Sequence, residues 1–329
     1  MSHLILIADI GGTSSRLALV GVDGVPSDIQ IHRNDSFAGF ESMIEADLAA
    51  RDPAAAHAVR GAVLAIAGPV DIEEVRLTNR DWAFTRPELS ARFGWDRLAV
   101  LNDFEALAHG VPALGADDVV TINPGHAAPD APCLACGPGT GFGTAALVRV
   151  PGHATVVKGE GGHVRLGAVN VQEARLLAHL SRAFGGTVSV ENVLSGSGLA
   201  RVHQVFSGDR LESHAVIAAA EAGDEEALES CHIFLRVFGR IAGDLALLFD
   251  ARGGVFLAGG VSAGLVPLFA GSPFMEAFLE HPPFDERLAA TPVSVITHPT
   301  PGLFGAGQVG AGLARDGLAR DGLARNGLA

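Results

Sequence analysis

With 329 residues, 48% of them apolar and 18% charged, the chain is long enough for two domains or one large one and too apolar to be disordered. Its formal net charge of −14, with arginines scattered around a single lysine, Lys158, argues against a nucleic-acid partner. Three cysteines, Cys133, Cys136 and Cys231, are too few for a disulfide framework.

An apolar run, Leu4 to Ala8, opens the chain; Asp9 interrupts it and no basic segment precedes it, so it is not read as a signal peptide. Asp9-Ile-Gly-Gly-Thr-Ser-Ser-Arg16 follows, then a second apolar run, Leu17 to Val22. The pattern predicts strand, glycine turn, strand, with Gly11 and Gly12 allowing a tight or positive-φ turn. Such a turn lets backbone N–H groups approach an anion, and hydroxyls at Thr13 to Ser15 add donors. Asp9, at the strand end, is placed to hold a metal ion through water. An ordinary hairpin with a salt-bridged Asp9 competes with this reading.

Phe40 to Ala50 carries Phe40, Ile44 and Leu48 at helical spacing. Gly61 to Ala67 reads as a strand covered on both faces, ending in the turn Gly68-Pro69. A short strand is expected over Val75 to Asn79, then Trp82-Ala-Phe84 and a helix near Pro87 to Phe93. Leu98 to Leu101 is another buried strand, followed by a helix around Phe104 to Ala108. Between them, Asn102-Asp103 sits at a strand's carboxyl end, where open α/β sheets bind ligands.

Gly110 to Ala131, rich in proline, glycine and acid, is read as starting at a domain boundary. Cys133 to Val148 then repeats the strand, glycine turn, strand layout of Asp9 to Val20, which suggests duplication. Cys133 and Cys136 lie three apart on that strand and point to opposite faces, so they pack rather than chelate. Gly159-Glu-Gly-Gly-His163 follows a third apolar strand, Thr155 to Val157. Its Glu160 and His163 either face a ligand or form a solvated turn. Ser189 is a candidate helix cap with Glu191 in the first turn, where acids also occur for dipole reasons alone.

A long helix is predicted from Glu225 to Phe249, its apolar stripe running from Phe234 to Leu248. Gly254 to Val261 is a strand entering a third glycine turn, where backbone can lie close to a flat ligand. The uncharged run Gly253 to Met275 contains Pro267 and Pro273, so strand, loop and short helix fit better than a membrane span. Pro292 to Thr297 is a last strand and Leu303 to Leu313 a last helix. Beyond it Gly312-Leu-Ala-Arg-Asp repeats from Gly317 and, ending in Asn326, from Gly322. A glycine per repeat costs about 1 kcal/mol of helix propensity, so a frayed or disordered tail over 316–329 is expected.

Two phosphate turns, a metal-positioning carboxylate, a turn for a base, and an Asp with Glu and His nearby form a kit for phosphoryl transfer to a hydroxyl. DIGGTSSR, LTNRDWAF, LNDFEALA, GPGTGFGTA, GEGGH, ENVLSGSGL and VFLAGGV, in this order and spacing, resemble the bacterial glucokinases of the sugar kinase/actin/Hsp70 superfamily. The resemblance runs from Leu4 to Leu313, with Pro138 and Ser197 as mild departures in two loops. No cysteines follow His163 in the next segment, which favours the non-ROK group over the ROK branch with its zinc motif.

That resemblance implies an α/β, two-domain actin-like ATPase (ribonuclease H-like) fold with a deep interdomain cleft. Residues 1–111 with 299–315 would form the small domain and 112–298 the large one. It implies ATP-dependent, cytoplasmic phosphorylation of glucose, with Asp103 as base. Asn102, Asp103, Glu160, His163 and Glu191 would hold the sugar. Ala8, Asp9, Ile10, Gly11, Gly12 and Thr13 would cradle phosphates with Gly139, Thr140 and Gly141, while Gly259 and Gly260 flank the adenosine. Mg²⁺ would sit at Asp9 through water. Related enzymes are commonly homodimers; no membrane or nucleic-acid partner is implied. The rival readings are a kinase for mannose, fructose or an amino sugar, and a non-catalytic sugar-responsive regulator.

Overall fold

The computed structural model describes residues 4–77, 80–150 and 153–325. The chain folds into two compact units, Met1–Ala113 with Pro299–Ala329, and Leu114–His298.

The first unit is built on a five-stranded sheet. Strands β1 (Leu4–Ile10), β2 (Ser14–Val20) and β3 (Ser27–Arg33) form an antiparallel meander, and β4 (Val59–Ile66) adds parallel to β1. Helices α1 (Phe40–Ala50) and α2 (Pro53–His57) lead into β4. A small hairpin, β5 (Glu74–Arg76) and β6 (Ala83–Thr85), precedes α3 (Arg86–Phe93). Of the strand expected over Val75 to Asn79, the last two residues lie outside those described. Strand β7 (Arg97–Asn102) completes the sheet in the order β3-β2-β1-β4-β7 and runs directly into α4 (Asp103–Gly110).

Period-two alternation gives β1 two buried faces. Leu6, Ala8 and Ile10 pack with Phe40 and Ile44, whereas Ile5 and Ile7 pack with Leu303 and Ala306 of the C-terminal helix, Pro301–Arg325. That helix runs past the expected end at Leu313, because the alanines, leucines and arginines of the repeats favour helix as steadily as its glycines oppose it. Arg315 also ties it down, donating to the Val22 carbonyl at 2.8 Å. Asn326 lies outside the described residues.

The second unit repeats the scheme. Strand β8 (Val119–Asn123) falls inside the stretch Gly110 to Ala131, for which no strand was expected, its short polar-flanked run pairing only at the sheet edge. Strands β9 (Cys133–Pro138), β10 (Phe142–Val150) and β11 (His153–Gly159) form the meander. Helices α5 (Val171–Phe184), α6 (Val190–Val193), α7 (Gly196–Ser207), α8 (Ser213–Glu221) and α9 (Glu225–Leu248) follow. Then come β12 (Gly254–Leu257), short helices α10 (Gly260–Gly264), α11 (Val266–Phe269), α12 (Phe274–Leu279) and α13 (Asp285–Ala290), and β13 (Val293–Ile296).

The sheet order is β11-β10-β9-β12-β13-β8, so its first five strands reproduce the connectivity of the first unit. Phe234 and Phe238 of α9 are fully buried in its core. Cys133 and Cys136 are buried in β9, and burial pushes the Cys136 thiol up to about 12, so it stays protonated. No described helix is long and apolar enough to cross a membrane.

Candidate active site

In the first unit, strand register assembles the site. Ile10 of β1 pairs with Ile66 of β4, and Ile66 with Asn102 of β7, so three parallel strands end in one row. Asp9 stands one residue before that row and Asp103 one residue after it. The Asp9 carboxylate lies 3.9 Å from the Arg16 guanidinium, its cross-strand partner. A Cβ on Gly302, in the first turn of the C-terminal helix, would lie 3.3 Å from the same carboxylate. Burial raises the Asp9 pKa, with Arg16 pulling the other way.

Asp103 is pushed up to about 6, chiefly by burial and further by the charge of Asp9. The Phe104 N–H, 2.9 Å from Asp103 Oδ1, opposes the shift. Asn102 caps α4 by accepting from Phe104 N–H at 3.0 Å and donates to the Gly68 carbonyl at 3.3 Å. A capping box fixes this corner, since the Asn102 N–H donates to the Glu105 carboxylate at 3.2 Å.

The first glycine turn is tight, and neither Gly11 nor Gly12 has a positive φ. Ala8 and Ile10 are buried, so only their backbone can face a ligand. Ser15 is buried too; its hydroxyl donates to Asn34 Oδ1 at 2.8 Å rather than outward, leaving Thr13 exposed. Asn34 in turn donates to the Gly11 carbonyl at 2.8 Å and, through its backbone, to the Thr13 carbonyl at 3.0 Å. Arg80 Nε donates to the Gly12 carbonyl at 2.6 Å while its guanidinium pairs with Asp35.

Sequence reasoning missed Asn34. A lone asparagine after a strand carries no signal, whereas Arg80 lies inside a motif already singled out. Asn34→Ala is expected to destabilise the first unit by about 2–3 kcal/mol, since Ser15 Oγ and the Gly11 carbonyl lose buried partners. Urea titration with assays of nucleotide affinity checks this; a neutral effect on both removes Asn34 as a brace.

In the second unit the structure brings Glu160, His163 and Glu191 together. His163 Nδ1 lies 3.7 Å from Glu191 Oε1 and Nε2 lies 3.9 Å from Glu160 Oε2. The Glu160 and His163 side chains are exposed, that of Glu191 half-buried. Ser189 precedes α6 as expected, but its hydroxyl makes no cap bond; its N–H instead donates to Asn192 Oδ1 at 2.9 Å. A Cβ on Gly141 would lie 2.6 Å from Glu191 Oε2, so the turn's glycine makes room for that carboxylate.

The second and third glycine turns meet, because β9 and β12 are parallel neighbours with Cys136 opposite Leu257. Gly139 N–H donates to the Gly141 carbonyl at 2.8 Å, with Thr140 at the tip. Gly259 has φ +97°, and a Cβ there would strike the Pro138 carbonyl at 2.2 Å. The Gly196 N–H, which sequence reasoning passed over, donates to the Gly139 carbonyl at 2.9 Å. Beside Gly260, an open depression of about 330 Å³ is lined by Ile217, Ala218, Val261 and Gly264.

A family model described as Glucokinase matches residues 6–312. The chain belongs to the glucokinase family. Among family members it is 40% identical over 311 residues to the glucokinase of Chelativorans sp. (strain BNC1), which covers 92% of this chain and 89% of that one. It is 37% identical over 318 residues to the glucokinase of Ralstonia nicotianae, with 91% and 93% covered. A crystal structure of a glucokinase from an Antarctic psychrotroph matches with a TM-score of 0.84 at 31% identity, covering 94% of this chain and 98% of that one. Its glucokinase-family match thus includes both units.

Proposed function

We propose that this chain transfers the terminal phosphoryl group of ATP to glucose, giving glucose 6-phosphate, as a cytoplasmic homodimer. The observation that carries the chemistry is Asp103, a half-buried carboxyl at a strand's carboxyl end whose pKa of about 6 suits a base at neutral pH. It takes the proton of the attacking hydroxyl as the new oxygen–phosphorus bond forms and the bond from that phosphorus to the bridging oxygen breaks, releasing ADP. Asn102 fixes the corner on which Asp103 stands and offers its side chain to the sugar.

Glu160, His163 and Glu191 accept and donate hydrogen bonds to sugar hydroxyls. Backbone N–H groups of the Gly11–Thr13 and Gly139–Gly141 turns hold phosphates, and the depression beside Gly260 takes the base. Among the described residues no three His, Cys, Asp or Glu side chains form a metal cluster. A single carboxylate, Asp9, would hold Mg²⁺, an ion that dehydrates reluctantly, through water. Bound there, the ion neutralises phosphate charge.

Asp103 must be ionised to act, so kcat/KM is expected to fall about tenfold per pH unit on the acid side. The limb begins at about pH 6, or lower where a cation beside Asp9 would remove the charge that helps raise the Asp103 pKa. A pH–rate profile flat from about pH 7 to 4 would rule Asp103 out as the base. Kinetics with ATP against glucose, mannose, fructose and amino sugars tests the substrate, since these hexoses share most of the hydroxyls the site contacts. Higher kcat/KM for another hexose replaces glucose; no turnover with any sugar favours the regulator.

A further inference from the structure

We propose that Thr144 is a positioning residue for the sugar-facing loop, its hydroxyl binding the Glu160–His163 backbone only when sugar is held. This rests on the assignment of that loop to glucose. Thr144 lies in β10, is 3% exposed, and its Oγ1 is the one buried hydroxyl without a hydrogen-bond partner among the described residues. A buried hydroxyl left unpaired is unfavourable, and valine would fill the same space without that penalty.

The place of this hydroxyl decides what it is for. Thr144 pairs across the ladder with Gly159, the residue before Glu160. A Cβ on Gly161 would fall 2.4 Å from Thr144 Oγ1, so the hydroxyl abuts the loop where it bends. A Cβ on the neighbouring Gly162 would fall 2.5 Å from the carbonyl oxygen of Phe142, two residues before Thr144 on the same strand. Two backbone bonds hold the bend itself, His163 N–H to the Glu160 carbonyl at 3.0 Å and Val164 N–H to the Gly161 carbonyl at 3.3 Å.

The Glu160 and His163 side chains are exposed and able to follow a ligand, while Gly161 and Gly162 between them are buried. A ligand gripped by these two side chains draws the loop with it and brings a backbone group of the loop against the Thr144 hydroxyl. The hydroxyl is unsatisfied in one loop position and satisfied in the other. The unpaired hydroxyl therefore destabilises the empty protein, and its pairing when sugar is held adds to the affinity for sugar.

Thr144→Val and Thr144→Ser separate this role from packing. For Thr144→Val we expect the unliganded melting temperature to rise by about 2–4 °C. KM for glucose should rise about tenfold, the combined effect of losing the bond in one state and the unpaired group in the other. The kcat should stay within about twofold, since Thr144 touches no reacting atom, and Thr144→Ser should keep the wild-type KM. A Thr144→Val protein with wild-type KM, or an unliganded melting temperature unchanged or lowered, overturns the proposal. Failure of the glucose reading shows earlier and separately, as a wild-type protein that glucose neither stabilises nor enters as substrate, and it takes the proposal with it.

Discussion

Asp103→Asn is expected to lower kcat by at least ~10² and, at neutral pH, to make the protein more stable. The first effect follows from loss of the base at constant size. The second follows from linkage. Asp103 has a folded pKa of about 6 against 3.8 for the free side chain, so the folded protein holds this proton more tightly than the unfolded chain. The resulting penalty is absent below pH 3.8, grows as pH rises, and is complete above about 6.

A shift of that size corresponds to about 3 kcal/mol at about 1.4 kcal/mol per pH unit. Partial solvent access reduces it to about 1–2 kcal/mol. Asparagine, uncharged at every pH, escapes the penalty. Denaturation of both proteins at pH 4 and pH 7.5 therefore has a directional outcome: the gap between variant and wild type should open as pH rises. Near-normal turnover in the variant would remove Asp103 from the role, and a gap independent of pH would remove burial of its charge as the cause.

The strands and glycine turns were legible because the fold writes them locally. Apolar runs such as Leu4 to Ala8 and Gly61 to Ala67 must be apolar on both faces when helices cover the sheet, and a glycine pair at a strand end is visible without any partner. What is not local was not legible. Strand β8 is five residues at an edge, set among prolines and acids, and only its pairing with β13 defines it.

Helix α8 is so rich in alanine that its packing on α9, rather than local pattern, decides it. Helices α5 and α7 do carry apolar stripes, Leu176 with Leu180 and Leu199 with Val202, which were legible but which sequence reasoning passed over. In the candidate site the same division holds. Glu160 and His163 share one loop and could be read together, but Glu191 joins them through tertiary folding. The brace on the first turn comes from Asn34 and Arg80, 23 and 68 residues away from the glycine carbonyls they bind. Gly141 looked like a phosphate glycine alone, yet its missing Cβ also leaves space for the Glu191 carboxylate.

Gly139, Gly259 and Gly260 offer a way to separate folding from nucleotide binding in the second unit. Gly259→Ala is expected to destabilise the protein by at least ~2 kcal/mol, because φ +97° disfavours any L side chain and the new Cβ would collide with the Pro138 carbonyl. Its ATP defect would therefore be indirect. Gly139 and Gly260 are different: a Cβ at either meets nothing within 4 Å, and neither has a positive φ. Gly139→Ala and Gly260→Ala should thus leave unliganded stability within about 1 kcal/mol of wild type, with a bias towards gain from the stiffer chain. If backbone at these turns lies directly against phosphate and adenosine, the same two methyls obstruct the ligand, and KM for ATP should rise about tenfold or more while KM for glucose changes little. Wild-type KM for ATP in both variants, with wild-type stability, would show that the nucleotide does not approach these turns. Loss of stability in either would instead mean that the open space beside them is used in folding.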